Sequence, residues 1–102
     1  MRIISPRALK RFALYHPEAE KPLEAWRRIT EKAEWRNLMG VRRDFPHADA
    51  VLVISRRTTI VFNIAGNKYR LVAAIHYNTG RVYVLRIFTH SQYDRNPWKE
   101  QL

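Results

Sequence analysis

Cysteine is absent from the 102 residues, glycine occurs three times, histidine four times, and acidic residues number only nine. Each shortage excludes something. Without cysteine there is no disulfide and no thiolate metal site. The three glycines form no P-loop, no Rossmann fingerprint and no GxSxG elbow. The carboxylates make no DxD or similar cluster, which argues against a two-metal nuclease. No two histidines stand at a ligand spacing such as HExxH, so neither a metal nor another cofactor is expected. No run of 18 apolar residues occurs, so no membrane span and no membrane partner are expected. The first residues, MRIISPRALKRF, hold no apolar stretch of signal-peptide length, and a cytoplasmic protein is expected.

What is abundant is positive charge. Nineteen Lys and Arg against nine Asp and Glu give a formal +10, an excess that by itself favours a polyanion: nucleic acid, an acidic protein or a membrane surface. The plainer alternative is a solvated basic surface. The length suits one compact domain, residues 1–102.

The first half has helical spacing. MRII reads as a short strand, and Ser5-Pro6 as a helix N-cap followed by proline at the first helical position. Leu9, Phe12, Ala13 and His16 then predict a helix over residues 6–15, ended by Pro17. Leu23, Trp26, Ile29 or Thr30, and Ala33 predict a second helix, with Pro22 in its first turns. A short third helix within residues 35–45 would be capped by Asn37, turn Leu38, Val41 and Phe45 inward, and stop at Pro46. From Val51 onward VLVIS, TTIVFNI, KYRLVAAIHY and VYVLRIF are rich in β-branched and aromatic residues, with turns at Ala65-Gly66-Asn67 and Asn78-Thr79-Gly80. Helices first and an antiparallel sheet after make an α+β domain: N-terminal helices packed on a small, mainly antiparallel sheet.

A three-residue loop at Asn78-Thr79-Gly80 would set Tyr77 opposite Arg81, Val72 opposite Arg86 and Arg70 opposite Phe88. Alternation then puts Lys68, Arg70 and Arg86 on one face of the hairpin with His76, among Val72, Ala74 and Val84. Tyr69, Leu71, Ala73, Ile75, Tyr83, Leu85 and Ile87 fall on the core face. Arginines fixed on strands suit bidentate contact with phosphate oxygens, although an ordinary solvated sheet face has the same look. Arg56-Arg57 is a loop pair, either simply exposed or adding nonspecific affinity for a polyanion.

THSQYD, residues 89–94, follows the last strand. An isolated His90 there most simply caps the turn or bonds a carbonyl, and an isolated Tyr93 is most simply a packed aromatic. Together, beside a cationic sheet face, His90, Tyr93 and Arg70 have the parts of a metal-free ribonuclease. Such an enzyme activates a ribose 2′-hydroxyl, stabilises charge on the phosphate and protonates the departing 5′-oxygen.

The second half also resembles a known family. Val61-Phe62-Asn63-Ile64, Gly66-Asn67, Tyr69-Arg70-Leu71, Thr89-His90, Tyr93-Asp94 and Trp98-Lys99 are similar to the pattern of the HigB family of type II toxins, within the RelE-like superfamily. The likeness is dense over residues 59–99. Earlier in the chain it rests on general character and on Phe45 to Asp49. The resemblance implies a RelE-like fold and a ribosome-dependent mRNA endoribonuclease that blocks translation. Its implied partners are the ribosome, mRNA and a cognate HigA-like helix-turn-helix antitoxin. It implies Arg70 as the phosphate-binding arginine; His90 and Tyr93 are the residues we assign to proton transfer and base stacking. Arg86 and Lys68 are supporting cations, and Arg56, Arg57 and Lys99 further RNA contacts. Two alternatives stand beside it: a non-catalytic RelE/ParE-like toxin sharing the fold, and a basic nucleic-acid-binding protein.

Overall fold

The computed structural model describes residues 1–4 and 6–102, so the expected Ser5 cap lies outside the described residues. In chain order, β1 is Arg2–Ile4, α1 Arg7–Tyr15, and a 3-10 turn spans Pro17–Ala19; α2 is Glu20–Lys32 and α3 Leu38–Asp44. The strands β2 (Asp49–Leu52), β3 (Thr58–Ile64), β4 (Tyr69–His76) and β5 (Arg81–Thr89) follow, and α4 (His90–Arg95) and α5 (Trp98–Gln101) end the chain. The sheet runs β1-β5-β4-β3-β2. β2 to β5 form an antiparallel meander, and β1 adds parallel to the outer side of β5. The fold is α+β, as the sequence pattern predicts.

The helical spacings bury the residues they should. Leu9 of α1, Leu23 and Trp26 of α2, and Val41 of α3 meet Ile60, Phe62, Leu71 and Ala73 of the sheet in one core. At the third inward position of α2, Thr30 is the buried residue and Ile29 lies outside. Asn37 caps α3, its side chain accepting the Gly40 N–H at 3.0 Å. The Trp35 indole N–H donates to Asp44 at 2.8 Å and ties the start of that helix to its end. Pro6 precedes α1 at φ −62°, a torsion its ring already favours.

The predicted hairpin register holds in its far half and slips near the turn. Val72 does face Arg86, and Arg70 does face Phe88. However, His76 rather than Tyr77 lies opposite Arg81, so the connection has four residues, and a bulge between Val72/Ala73 and Val84/Arg86 takes up the difference at Leu85. Gly80 supplies the left-handed torsion, φ +67°, that the turn was read to need. The slip reverses the faces of the first half of β5. Val82 and Val84 join the helix-side core, whereas Tyr83, expected there, instead meets His76 at 4.9 Å between ring centroids. Leu85, also expected in the core, is the bulged residue and belongs to neither buried cluster.

The other sheet face is not simply open. Val53, Val61, Val72, Phe88 and Trp98 form a second buried cluster, with Tyr93 and Leu102 packed against it. Trp98 is 1% exposed, so α5 folds back as a small cover over that face. The Ile54 N–H donates to the Lys99 carbonyl at 2.9 Å and fastens the cover to the β2–β3 loop.

Candidate functional site

α4 is built to start at one place. The Thr89 hydroxyl accepts the Gln92 N–H at 3.1 Å, and the Gln92 side chain accepts the Thr89 N–H at 2.9 Å, a reciprocal capping box. The His90 N–H donates to the Lys68 carbonyl at 2.8 Å, tying the helix start to the chain entering β4. The strand therefore delivers His90, and Tyr93 and Asp94 follow on the same helical face.

The three residues singled out in the sequence come together. Arg70 points from β4 toward α4, and its Nη2 lies 3.2 Å from His90 Nδ1. The same guanidinium donates to the Asn67 carbonyl and the Tyr69 carbonyl, both at 3.2 Å, and to the Asn67 side chain. Its carbon sits 5.7 Å from the Tyr93 ring centroid. A guanidinium has no acceptor, so His90 Nδ1 must be the acceptor in this contact. The neutral ring then carries its proton on Nε2, which faces Asp94 Oδ2 at 3.3 Å. Arg70, His90 and Asp94 thus form one chain of contacts. Among the described residues Arg70 makes no ion pair, so its charge is balanced only by neutral acceptors.

Arg70 and Tyr93 open into a hollow of about 550 Å³, walled also by Arg42, Pro46, His47, Ala48, Asp49, Val61 and Asn63. Arg42 Nε donates to the Ala48 carbonyl at 3.0 Å and holds the α3–β2 connection in place. His47, Asp49 and Asn63 were not among the sequence candidates. Asn63 reaches the site because β3 pairs it with Arg70. His47 and Asp49 lie in the Phe45 to Asp49 stretch, so the signal was present without a role attached.

Tyr93 is half-buried, with Trp98 at 5.6 Å and Phe88 at 6.4 Å between centroids. Burial raises its phenol above the ordinary tyrosine value of 10.0; Asp49 and Asp94 add to the rise and Arg70 opposes it. At neutral pH Tyr93 is therefore a proton donor and not a phenolate.

The remaining candidates are spread more widely. Lys68 turns to Glu18, with 3.6 Å between Nζ and Oε2, and contributes its carbonyl rather than its ammonium to the site. Arg86 is exposed at the edge of β5 and donates to the Leu85 carbonyl at 2.7 Å. Arg56 and Arg57 are exposed in the β2–β3 loop, outside the residues lining the hollow. Lys99, its ammonium 5.9 Å from the Trp98 ring centroid, lines a second hollow that shares Tyr93 with the first.

A family model described as HigB toxin, the RelE-like toxic component of a toxin–antitoxin system, matches residues 19–96. The chain belongs to the HigB toxin family. The matched span includes Arg70, His90, Tyr93 and Asp94. Among HigB relatives, the mRNA interferase toxin HigB of Escherichia coli strain K12 is 28% identical over 94 residues, covering 92% of this chain and 88% of that one. The mRNA interferase HigB of Shigella flexneri matches to the same extent. The mRNA interferase HigB of Escherichia coli O6:H1 is 26% identical over 95 residues, 93% of this chain and 90% of its own. As a toxin of a toxin–antitoxin pair the chain has an antitoxin partner. No helix among the described residues is long and apolar enough to cross a membrane.

Proposed function

We propose that the chain is an mRNA endoribonuclease that cuts messages on the ribosome by using the ribose 2′-hydroxyl as nucleophile. The observation carrying this reading is the Arg70–His90–Asp94 chain of contacts, of which Arg70 lines the hollow together with Tyr93. The names of the relatives, mRNA interferases, support the substrate. The +10 charge supports a polyanionic substrate.

The chemistry follows from the resting hydrogen bonds. Arg70 spends its donors on neutral oxygens and an imidazole nitrogen. A phosphate is a stronger acceptor and takes two parallel N–H donors from an arginine. As Arg70 turns to the scissile phosphate, His90 Nδ1 loses its donor and becomes free to accept a proton. The 2′-hydroxyl gives that proton to Nδ1 and its oxygen attacks phosphorus. Asp94 stabilises the imidazolium that results, holding Nε2–H in place. The bond to the 5′-oxygen breaks, and the Tyr93 hydroxyl supplies the proton that the leaving oxygen takes. The products are a 2′,3′-cyclic phosphate and a 5′-hydroxyl. Tyr93 acts here as acid rather than as a stacking platform, since Trp98 and Phe88 already engage its ring. The hollow walled by His47, Asp49 and Asn63 receives the adjoining nucleotide. Arg86, Arg56, Arg57 and Lys99 contact RNA outside the reacting group, and Lys68 supports the site through its carbonyl.

The antitoxin in this reading is a HigA-like helix-turn-helix protein, and the pair acts in the cytoplasm. The experiment is mapping of mRNA ends in a translation reaction with and without the protein. New ends carrying 5′-hydroxyls, dependent on ribosomes, are expected. Ribosome stalling without cleavage would instead favour a non-catalytic toxin.

A further inference from the structure

β5 is covered on its outer side only where β1 reaches it. The pairing runs from Arg2 opposite Arg81 to Ile4 opposite Tyr83 and stops there. Beyond Tyr83, among the described residues, no strand pairs the outer edge of β5 up to Thr89. α1 runs past this free edge and leaves a groove of about 350 Å³ between them. Ala8, Phe12, Val84 and Ile87 give it an apolar floor, and Arg11 and Arg86 stand on its rim. Tyr15, 80% exposed, extends one wall into solvent. The opposite edge of the sheet, β2, is only four residues long and begins with Asp49.

Charge around the groove has one sign. Residues 1–17 and 50–93 contain no Asp or Glu. β1, α1 and β5 therefore carry no carboxylate, whereas Arg2, Arg7, Lys10, Arg11, Arg81 and Arg86 on them are all exposed. A free strand edge ordinarily invites a second copy of the same chain. Here a second copy would bring six like charges against six. The same rim attracts an acidic segment.

We propose that this edge is where the antitoxin docks. An extended antitoxin segment adds as a strand to β5 over residues 84–89, sets small apolar side chains into the α1 groove, and places carboxylates against Arg11 and Arg86. Main-chain hydrogen bonds give affinity in such an addition, and the groove and its rim give selectivity. The edge ends at Thr89, the residue before His90, so the added strand runs up to the candidate site. This deepens the toxin reading and rests on it.

The test is amide hydrogen exchange of the toxin alone and in complex with the antitoxin encoded with it, together with the Kd of the wild type, Arg11→Glu and Tyr15→Ala. Neither variant touches the Arg70 hollow, so unassisted mRNA cutting should be unchanged in both. Exchange over 84–89 should slow on complex formation, and Arg11→Glu should weaken binding roughly tenfold, mainly through a slower association at low salt. A complex that leaves 84–89 exchanging as in the free toxin overturns the proposal, as does wild-type affinity in Arg11→Glu. Protection of 84–89 that grows with the concentration of toxin alone would make the occupant a second copy, and also overturns it. If the toxin binds its antitoxin but cuts no mRNA, the ribonuclease reading fails while the exchange data still decide the dock.

Discussion

The two faces of the sheet are buried by different means. On the helix side fifteen buried residues, Trp26, Trp35 and Phe62 among them, interlock three helices with the strands. On the other side five buried residues suffice, gathered by α5 through Trp98. The first face is covered by helices except for the groove between α1 and β5. The second is covered at one end and hollow at the other, and the hollow is lined by Arg70 and Tyr93 together. The larger core and the candidate site thus lie on opposite faces of one sheet, and β4 serves both, with Leu71 and Ala73 turned one way and Arg70 and Val72 the other.

The sharpest way to break this division is to damage each face in turn. Trp26→Ala removes a side chain that is 1% exposed from the larger core. It should cost about 3–5 kcal/mol of stability. Chemical denaturation of the purified variant measures it; a loss below about 1 kcal/mol would show that the helix-side core is not the main support. Arg70→Ala should do the reverse. Its folding stability should fall by about 1 kcal/mol or less, because its donors bond exposed carbonyls. Its cleavage rate should fall by roughly a hundred- to a thousand-fold, the scale of losing a fixed donor to transition-state charge. Arg70→Lys should recover only part of that, since an ammonium makes no two-pronged contact. Single-turnover cleavage on ribosomes and a melting curve for each variant separate rate from stability.

Two smaller effects refine the comparison. Thr89→Ala removes one half of the capping box and should cost about 1 kcal/mol. Because α4 carries His90, the variant should also cut more slowly than its stability loss explains; unchanged cutting would show that the Lys68 carbonyl alone holds His90 in place. The smallest effect is in alkaline titration. The Tyr93 phenol is raised in the folded state, mainly by burial, above the 10.0 of an unperturbed tyrosine. The unfolded chain therefore loses this proton first as pH rises. The stability it confers is complete below that value and is lost as pH climbs through the higher folded pKa. Tyr93→Phe should flatten that part of the stability curve. Tyr77, raised by burial on the helix side, should keep its share.

Much of this was legible because local signals and tertiary packing agree. The i, i+3, i+4 spacings of α1 and α2, the Asn37 cap and the left-handed torsion at Gly80 all appear where the residues place them. The meeting of Arg70, His90 and Tyr93 was legible from alternation along β4 and from the position of THSQYD directly after the last strand. The slip at Leu85 was not, because a bulge exchanges one residue between turn and strand without altering composition. It cost the faces of Tyr83 and Val84. The C-terminal helices escaped for a related reason: α4 and α5 are six and four residues long, too short for periodicity to reveal. His47 and Asp49 reach the hollow only through the fold, since nothing near them in the chain marks them as partners of Arg70. Lys68 and Arg86 lie beside the expected strand positions, yet one turns to Glu18 and the other to its own backbone.

The thin cover of α5 has a thermal consequence. Trp98, the Lys99 carbonyl and Leu102 hold it, and it backs the Tyr93 ring. A short helix held by one large side chain opens at a lower free energy than the three-helix core does. On warming, Tyr93 should lose its support while the sheet and its helices are still intact. If Tyr93 has the proposed role, toxicity should then fade at a temperature below the melting point and return on cooling.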